Sequence, residues 1–248
     1  MRRILTFAII LWAVVSLLAS AAFSQIDLDI ESGVVFSGYN DVRIPGDQGT
    51  LFSLSEELEA DPGVFYRVRL FYHFNDRHHL GALYAPLSID AAGPLDRPLI
   101  FEGETFPANT PLKASYQFNS YRLIYRYDFL RKDKIEIGAG FTAKIRDAKI
   151  AVKSDVLESE KTNVGFVPIV HFRLLWKFAA KAAFLIDGDA LAAPQGRAED
   201  VLAALIFKTS DKMDVKAGYR IVEGGADNDI VYNFALINYA AIGAVFHF

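Results

Sequence analysis

The sequence has no cysteine. That excludes a disulfide framework, a thiolate metal site and a membrane anchor through a lipidated cysteine. It also has little net charge: 26 Lys and Arg against 30 Asp and Glu give −4 at pH 7 with a pI near 5.7, which argues against a nucleic-acid partner. Beyond the first two dozen residues no apolar run approaches the ~20 residues of a membrane helix. No Pro- or Ser-rich linker divides the chain, so one domain is expected. Catalytic spacings are scarce as well. The five histidines are scattered, and neither His-x-Ser nor His-Glu-x-x-His occurs.

What is present begins with a leader. Met1-Arg2-Arg3 is basic, Ile4 to Leu18 is apolar, and small residues follow with cleavage expected after Ala22 or Ser24. Residues 1–24 read as a secretory signal peptide, leaving 25–248 as the folded domain. That domain alternates apolar and polar residues in about ten segments, the period of a strand. They run about Asp27–Tyr39, Val64–Phe74, His79–Pro86, Ala114–Phe129, Lys134–Arg146, Val164–Phe178, Ala179–Asp189, Glu199–Lys208, Met213–Val222 and Ile230–Phe248. Short connections follow the even-numbered segments. Longer ones, Asn40–Gly63, Leu87–Lys113, Asp147–Asn163, Ala190–Ala198 and Glu223–Asp229, follow the odd-numbered ones. An even count with short turns alternating with long loops predicts an all-β fold: a transmembrane antiparallel up-and-down β-barrel of about ten strands.

One parity of each segment is apolar. Val64, Tyr66, Val68, Leu70, Tyr72 and Phe74 oppose Arg67, Arg69 and His73. With the apolar side toward lipid, Tyr72, Phe74, Tyr127, Phe129, Trp176, Phe246 and Phe248 form one aromatic girdle. Tyr66, Tyr84, Tyr116, Phe166, Phe184 and Tyr232 form the other. Tyr116 and Phe118 fall on the wrong parity for their segment, and a β-bulge near Phe118–Ser120 would reconcile them. Val201–Phe207 is apolar on both parities and gives no orientation. The last strand alternates down to a terminal Phe248, and it resembles the closing strand of bacterial outer-membrane β-barrels, whose end is read by the barrel-assembly machinery. The resemblance implies an outer-membrane location with both termini periplasmic, long loops extracellular, and lipid and lipopolysaccharide as surroundings.

The inward parity carries the chemistry. Arg67, Arg69, Arg122, Arg126, Glu136, Lys144, Arg146, His171, Arg173, Asp214, Lys216 and Arg220 form an expected lumen charge network. Ten strands enclose an interior little wider than side chains can fill, so ion pairs bracing a plugged barrel are favoured over an anion-selective channel. Asp187 and Asp189 end the seventh segment; Gln195 to Asp200 opens the eighth, and Glu223, Asp227 and Asp229 occupy the neighbouring loop. Brought together, these acids would form an acidic extracellular mouth. It could be neutralised by Arg197, Arg146 and Arg220, or could hold Ca²⁺ through Asp187, Asp189, Glu223, Asp227 and Asp229. Omptin proteases are also ten-stranded barrels with acids at the outer rim, but their acidic pair is accompanied by an Asp-x-His dyad, and these mouth segments contain no histidine. The resemblance covers architecture only. The expected function is therefore a non-catalytic outer-membrane barrel acting as an anchor, binding protein or narrow channel. The competing one is a surface hydrolase, protease- or lipase-like, with Asp187 and Asp189 activating water. No resident cofactor is expected apart from that Ca²⁺.

Overall fold

The computed structural model describes residues 25–194 and 196–248; the expected signal peptide lies outside them, as does Gln195. The described chain is all β: β1 (Ile26–Arg43), β2 (Phe52–Ser53), β3 (Gly63–His73), β4 (His78–Ala85), β5 (Ser88–Pro94), β6 (Leu99–Phe101), β7 (Glu104–Phe106), β8 (Pro111–Lys132), β9 (Ile135–Lys153), β10 (Glu158–Ala179), β11 (Ala182–Ala193), β12 (Gly196–Lys208), β13 (Met213–Asp227) and β14 (Tyr232–His247). β4 and β5 are one barrel strand interrupted at Pro86, which has no amide hydrogen to give the ladder. Their register on β8 is unbroken, from Ala85↔Ser120 to Ser88↔Gln117. In that count ten strands, all antiparallel to their neighbours, surround the lumen, and β1 pairs with β14 from Asp27↔His247 to Arg43↔Tyr232 to close the cylinder. Closure removes the sheet edges that lipid could not hydrate. The short turns and both ends of the described chain share one end of the cylinder, called the turn end below; the opposite is the loop end.

The outer face is apolar over a broad band. Val64 is 84% exposed, Phe141 71% and Phe166 68%, an expanse that only lipid would cover. Tyr66, Tyr84 and Tyr121 make an aromatic row around the barrel, with ring centroids 6.2 and 5.2 Å apart. One polar group on this face is satisfied locally, as the Tyr219 hydroxyl donates to Asn238 Oδ1 at 2.8 Å.

Four expectations need correction. Three of the five long loops are shortened because the flanking strands continue beyond the apolar band: β9 runs to Lys153 and β10 begins at Glu158, β11 runs to Ala193 and β12 begins at Gly196, and β13 runs to Asp227 and β14 begins at Tyr232. Around 154–157 the outward positions are charged and paired across strands, as in Lys153–Glu158 at 2.9 Å, so the alternation that marks lipid contact disappears while the ladder goes on. No bulge occurs at 118–120; the β8–β9 register shifts instead at Asp128/Leu130. Tyr116 is consequently buried in the lumen, stacked on Phe118 at 6.1 Å, and belongs to no girdle. Phe184 pairs in register with Trp176 near the turn end, not at the outer rim. Within 201–207 the lumen receives Leu202 and Ala204, while Leu205 and Phe207 face out.

The loop-end half of the lumen is thus apolar, and two long connections fold over it as a cap. In segment 44–62, Phe52, Leu54 and Leu58 are fully buried; in segment 95–110, Leu99, Phe101 and Phe106 are. The β6–β7 hairpin turns through Glu102 and Gly103, both at positive φ (50° and 84°), as a two-residue hairpin loop of the right twist requires. Its tip crosses the lumen: Glu102 N donates to Ile44 O at 2.9 Å, and Lys161 on β10 reaches Glu102 at 2.7 Å. On one side the wall is incomplete. The β10–β11 ladder runs only from Ala179↔Ala182 to Val170↔Ala190, so Glu158–Ile169 of β10 pairs with β9 alone and a gap opens under the cap.

Candidate functional site

Polar residues on inward parity are forced together because the barrel is narrow, and each buried charge must find a partner to offset its lost hydration. At mid-lumen they meet across the whole diameter. Arg69 on β3 and Asp187 on β11 stand five strands apart, on opposite walls, with 2.6 Å between Nη1 and Oδ1. Asp200 on β12 accepts from Arg67 at 2.7 Å, from Arg122 at 2.6 Å, and from Arg220. Glu31 accepts from Arg220 through Nε at 2.8 Å and Nη2 at 3.0 Å, and from Lys216 at 2.9 Å; Lys216 also reaches Asp29 at 2.7 Å. Asp189 is held by Arg122 at 2.5 Å, the Thr142 hydroxyl at 2.6 Å and His171 Nδ1 at 3.0 Å. Below this layer Phe71 lies under the Arg126 guanidinium, 5.0 Å from its centroid; Gly81 makes room, since a Cβ there would fall 2.5 Å from the ring.

Toward the turn end the network continues as alternating acids and histidines. Arg126 and His79 both bind Asp128 at 2.8 Å; His73 contacts His79 at 2.6 Å and Asp27 at 2.9 Å; His247 bridges Asp27 at 2.7 Å and Asp214 at 3.2 Å. Glu136 sits near the rim with Lys177 at 2.6 Å and Arg173 at 3.5 Å. A cavity of about 240 Å³ opens among these groups.

The acidic mouth does not form. Asp187 and Asp189 share a face as expected, but that face lies at mid-barrel, where arginines hold both. Glu223 is at the loop-end rim, engaged by Arg197 at 2.7 Å and by the Tyr39 hydroxyl, while Asp227 and Asp229 are exposed in the last hairpin. Extended β11 and β12 carry the rim several residues beyond Asp189, which separates the five carboxylates expected to share Ca²⁺. Among the described residues no three His, Cys, Asp or Glu side chains are grouped to hold a metal ion. The one Asp-x-His of the sequence, Asp76-Arg77-His78, lies in a turn-end hairpin at the opposite end from that mouth.

Two predicted network members stand apart. Lys144 and Arg146, on β9, have no carboxylate within 4.0 Å among the described residues. Lys144 lies 4.8 Å from the Phe118 ring, and Arg146 bonds the Asn163 side chain. Both line a second cavity of about 450 Å³ between the ion-pair layer and the cap.

Asp200, on which three guanidiniums converge, belongs to the network and not to the mouth that its sequence position suggests. Its parity with Leu202 and Ala204 carries the missing signal, but that segment is apolar on both faces, so inward and outward could not be told apart. Asp128 shares parity with Arg122 and Arg126 and was readable.

A ten-stranded closed barrel with an apolar girdle and a charged lumen has the fold of the outer-membrane β-barrels. No protein-family description matches the sequence, and no curated protein matches it either. Among solved structures it is similar to the outer-membrane protease OmpT of Escherichia coli, at 9% identity and TM-score 0.57, covering 93% of this chain and 99% of that one. It is also similar to the transport unit of the E. coli autotransporter AIDA-I, at 8% identity and TM-score 0.52, covering 93% and 92%. At these identities the likeness is one of fold alone.

Proposed function

We propose that the protein is a closed, non-conducting outer-membrane barrel that acts without catalysis, as a membrane-embedded binding or anchoring protein displaying its loop cap. In this reading the turn end and both chain ends are periplasmic, the cap is extracellular, and lipid and lipopolysaccharide surround the apolar band. The Arg69–Asp187 contact carries the proposal: buried side chains from opposite walls touch at 2.6 Å, which supports a lumen obstructed at that level. The cap adds a second barrier above it. The acids that a hydrolase would need are held at mid-barrel, Asp187 by Arg69 and Asp189 by Arg122, Thr142 and His171, rather than presented at an open mouth. Planar-bilayer recording on purified protein tests this. Wild type is expected to give no stepwise conductance, whereas Arg69→Ala combined with Asp187→Ala widens the lumen and raises it. Regular single-channel steps from wild type would overturn the closed barrel.

A further inference from the structure

We infer that the cavity beneath the cap binds one single-chain carboxylate amphiphile, a long-chain fatty acid, taken in sideways from the membrane through the gap between β10 and β11. The inference is separate from whether the barrel conducts, because it concerns the space above the plug.

Three observations converge. The cavity, about 450 Å³, is in the range that suits a small ligand; Tyr116, Phe118, Ile150, Leu191, Val222 and Ile237 give it an apolar wall, and its other charged lining residues are paired, Lys149 with Glu160, Lys161 with Glu102 and Arg197 with Glu223. Second, the cavity holds charge of one sign that the protein leaves unanswered. Lys144 is 4% exposed and has no carboxylate or hydrogen-bond partner among the described residues. Arg146 beside it bonds only the neutral Asn163, with its Nε unpartnered. The neighbouring plug follows the opposite rule, with nearly every cation on a carboxylate. A buried ammonium without an acid is costly unless an anion arrives, and with the half-buried Arg146 guanidinium beside it the pair suits a carboxylate head, which can accept from both. Third, there is a route. β10 has no β11 partner from Glu158 to Ile169, and the cavity lining includes Val167 from that stretch and Phe166, whose ring is exposed on the lipid-facing side. The cap closes the top and the ion pairs close the floor, so the side is the open direction. The head would rest on Lys144 and Arg146 near the floor, with the chain lying along Tyr116, Ile150 and Ile237.

The test uses protein purified from membranes, stripped of lipid and placed in phosphatidylcholine nanodiscs. Palmitate carrying ¹³C at the carboxyl carbon is titrated in, and its NMR shift is followed. Saturable binding at one per barrel is expected, with hexadecanol weaker by about tenfold or more because it brings no charge to the two cations. Lys144→Met with Arg146→Met is expected to lose the same factor for palmitate and to bind the alcohol and the acid alike. Should that variant fail to give the heat-modifiable folded band, Ala198→Trp serves instead: it fills the cavity wall without touching either cation and is expected to abolish binding. Equal affinity in wild type and both variants, no saturation above empty nanodiscs, or displacement by lipid A but not by unlabelled palmitate would each overturn the assignment.

Discussion

Asp200 is the residue on which the plug turns. Three guanidiniums, from Arg67, Arg122 and Arg220, converge on its carboxylate, and all four side chains are buried. A carboxylate in such a place does more than balance charge, because it fixes three strands at one height across the lumen. Asp200→Asn keeps the shape but leaves Arg67 only the longer contact to Glu31, 4.0 Å, while Arg122 keeps Asp189 and Arg220 keeps Glu31; removing one partner of a buried pair costs about 3–5 kcal/mol. At the rim, Glu136 bonds Lys177, whose side chain is 42% exposed, and water there screens the loss. Glu136→Gln, which removes a carboxylate 13% exposed from cations 18–42% exposed, is therefore expected to cost less, about 1 kcal/mol. Urea unfolding of the two variants in lipid vesicles compares them directly. Equal shifts would mean that mid-lumen is as wet as the rim, contrary to a dry plug.

The cap is an element of a different kind, a small water-facing core built on a membrane barrel. Its two segments are clipped by Arg97, which donates to Glu57 at 2.6 and 3.1 Å and to Leu51 O at 2.7 Å, while Glu57 also accepts from Ser53 N at 2.8 Å. The Arg97 hydrogen bonds hold the Glu57 carboxyl below its ordinary value of 4.5. A depressed carboxylate adds stability that is complete above its unfolded pKa and is lost as pH falls through the lower folded one. The clip should thus hold at neutral pH and release in acid below about 4.5. Pepsin digestion of the embedded protein at pH 2 is expected to cut within 44–62, and Arg97→Ala is expected to expose the same sites to trypsin or chymotrypsin at pH 7. An uncut segment in both would show that apolar packing alone holds the cap. This element was illegible from the sequence for a plain reason: β2, β6 and β7 are two or three residues long, too short for the alternation at Phe52/Leu54 or Leu99/Phe101 to stand out as a strand. The barrel strands were legible wherever lipid and lumen imposed opposite demands on alternate residues, as in β3. They became ambiguous where both sides were apolar, as in 201–207, or where the pattern inverts, as in 149–153, with Lys149 and Lys153 facing out and Ile150 and Val152 facing in. The charge network could be read from parity, but its height could not. Asp187 and Asp189 were placed at the mouth because the end of β11 was set four residues too early, at Asp189 and not Ala193.

Over the whole molecule the ten strands separate two environments, and their direction decides what the cap meets. The turn end gathers basic and histidine-bearing groups around a 240 Å³ opening, and the loop end carries the roofed apolar space and its lateral gap. If the turn end is periplasmic, the gap faces the outer leaflet and the cap faces the exterior; reversal would offer both to the periplasm. The absence of cysteine makes the test clean, since any thiol is an introduced one. Asp96 is in the cap segment with its side chain 89% exposed, and Asp133 is exposed in the turn between β8 and β9, at the other end of the cylinder. Neither position bears on the plug: Asp133 has no ion-pair partner among the described residues, and Asp96 makes only a long contact with Arg97, 3.5 Å. Single Asp96→Cys and Asp133→Cys proteins are treated with a membrane-impermeant maleimide on intact cells, then again after the outer membrane is opened. Asp96→Cys is expected to label at once and Asp133→Cys only after opening. The reverse pattern would invert the barrel and put the gap in the inner leaflet, and the fatty acid would then have to be drawn from the periplasmic side.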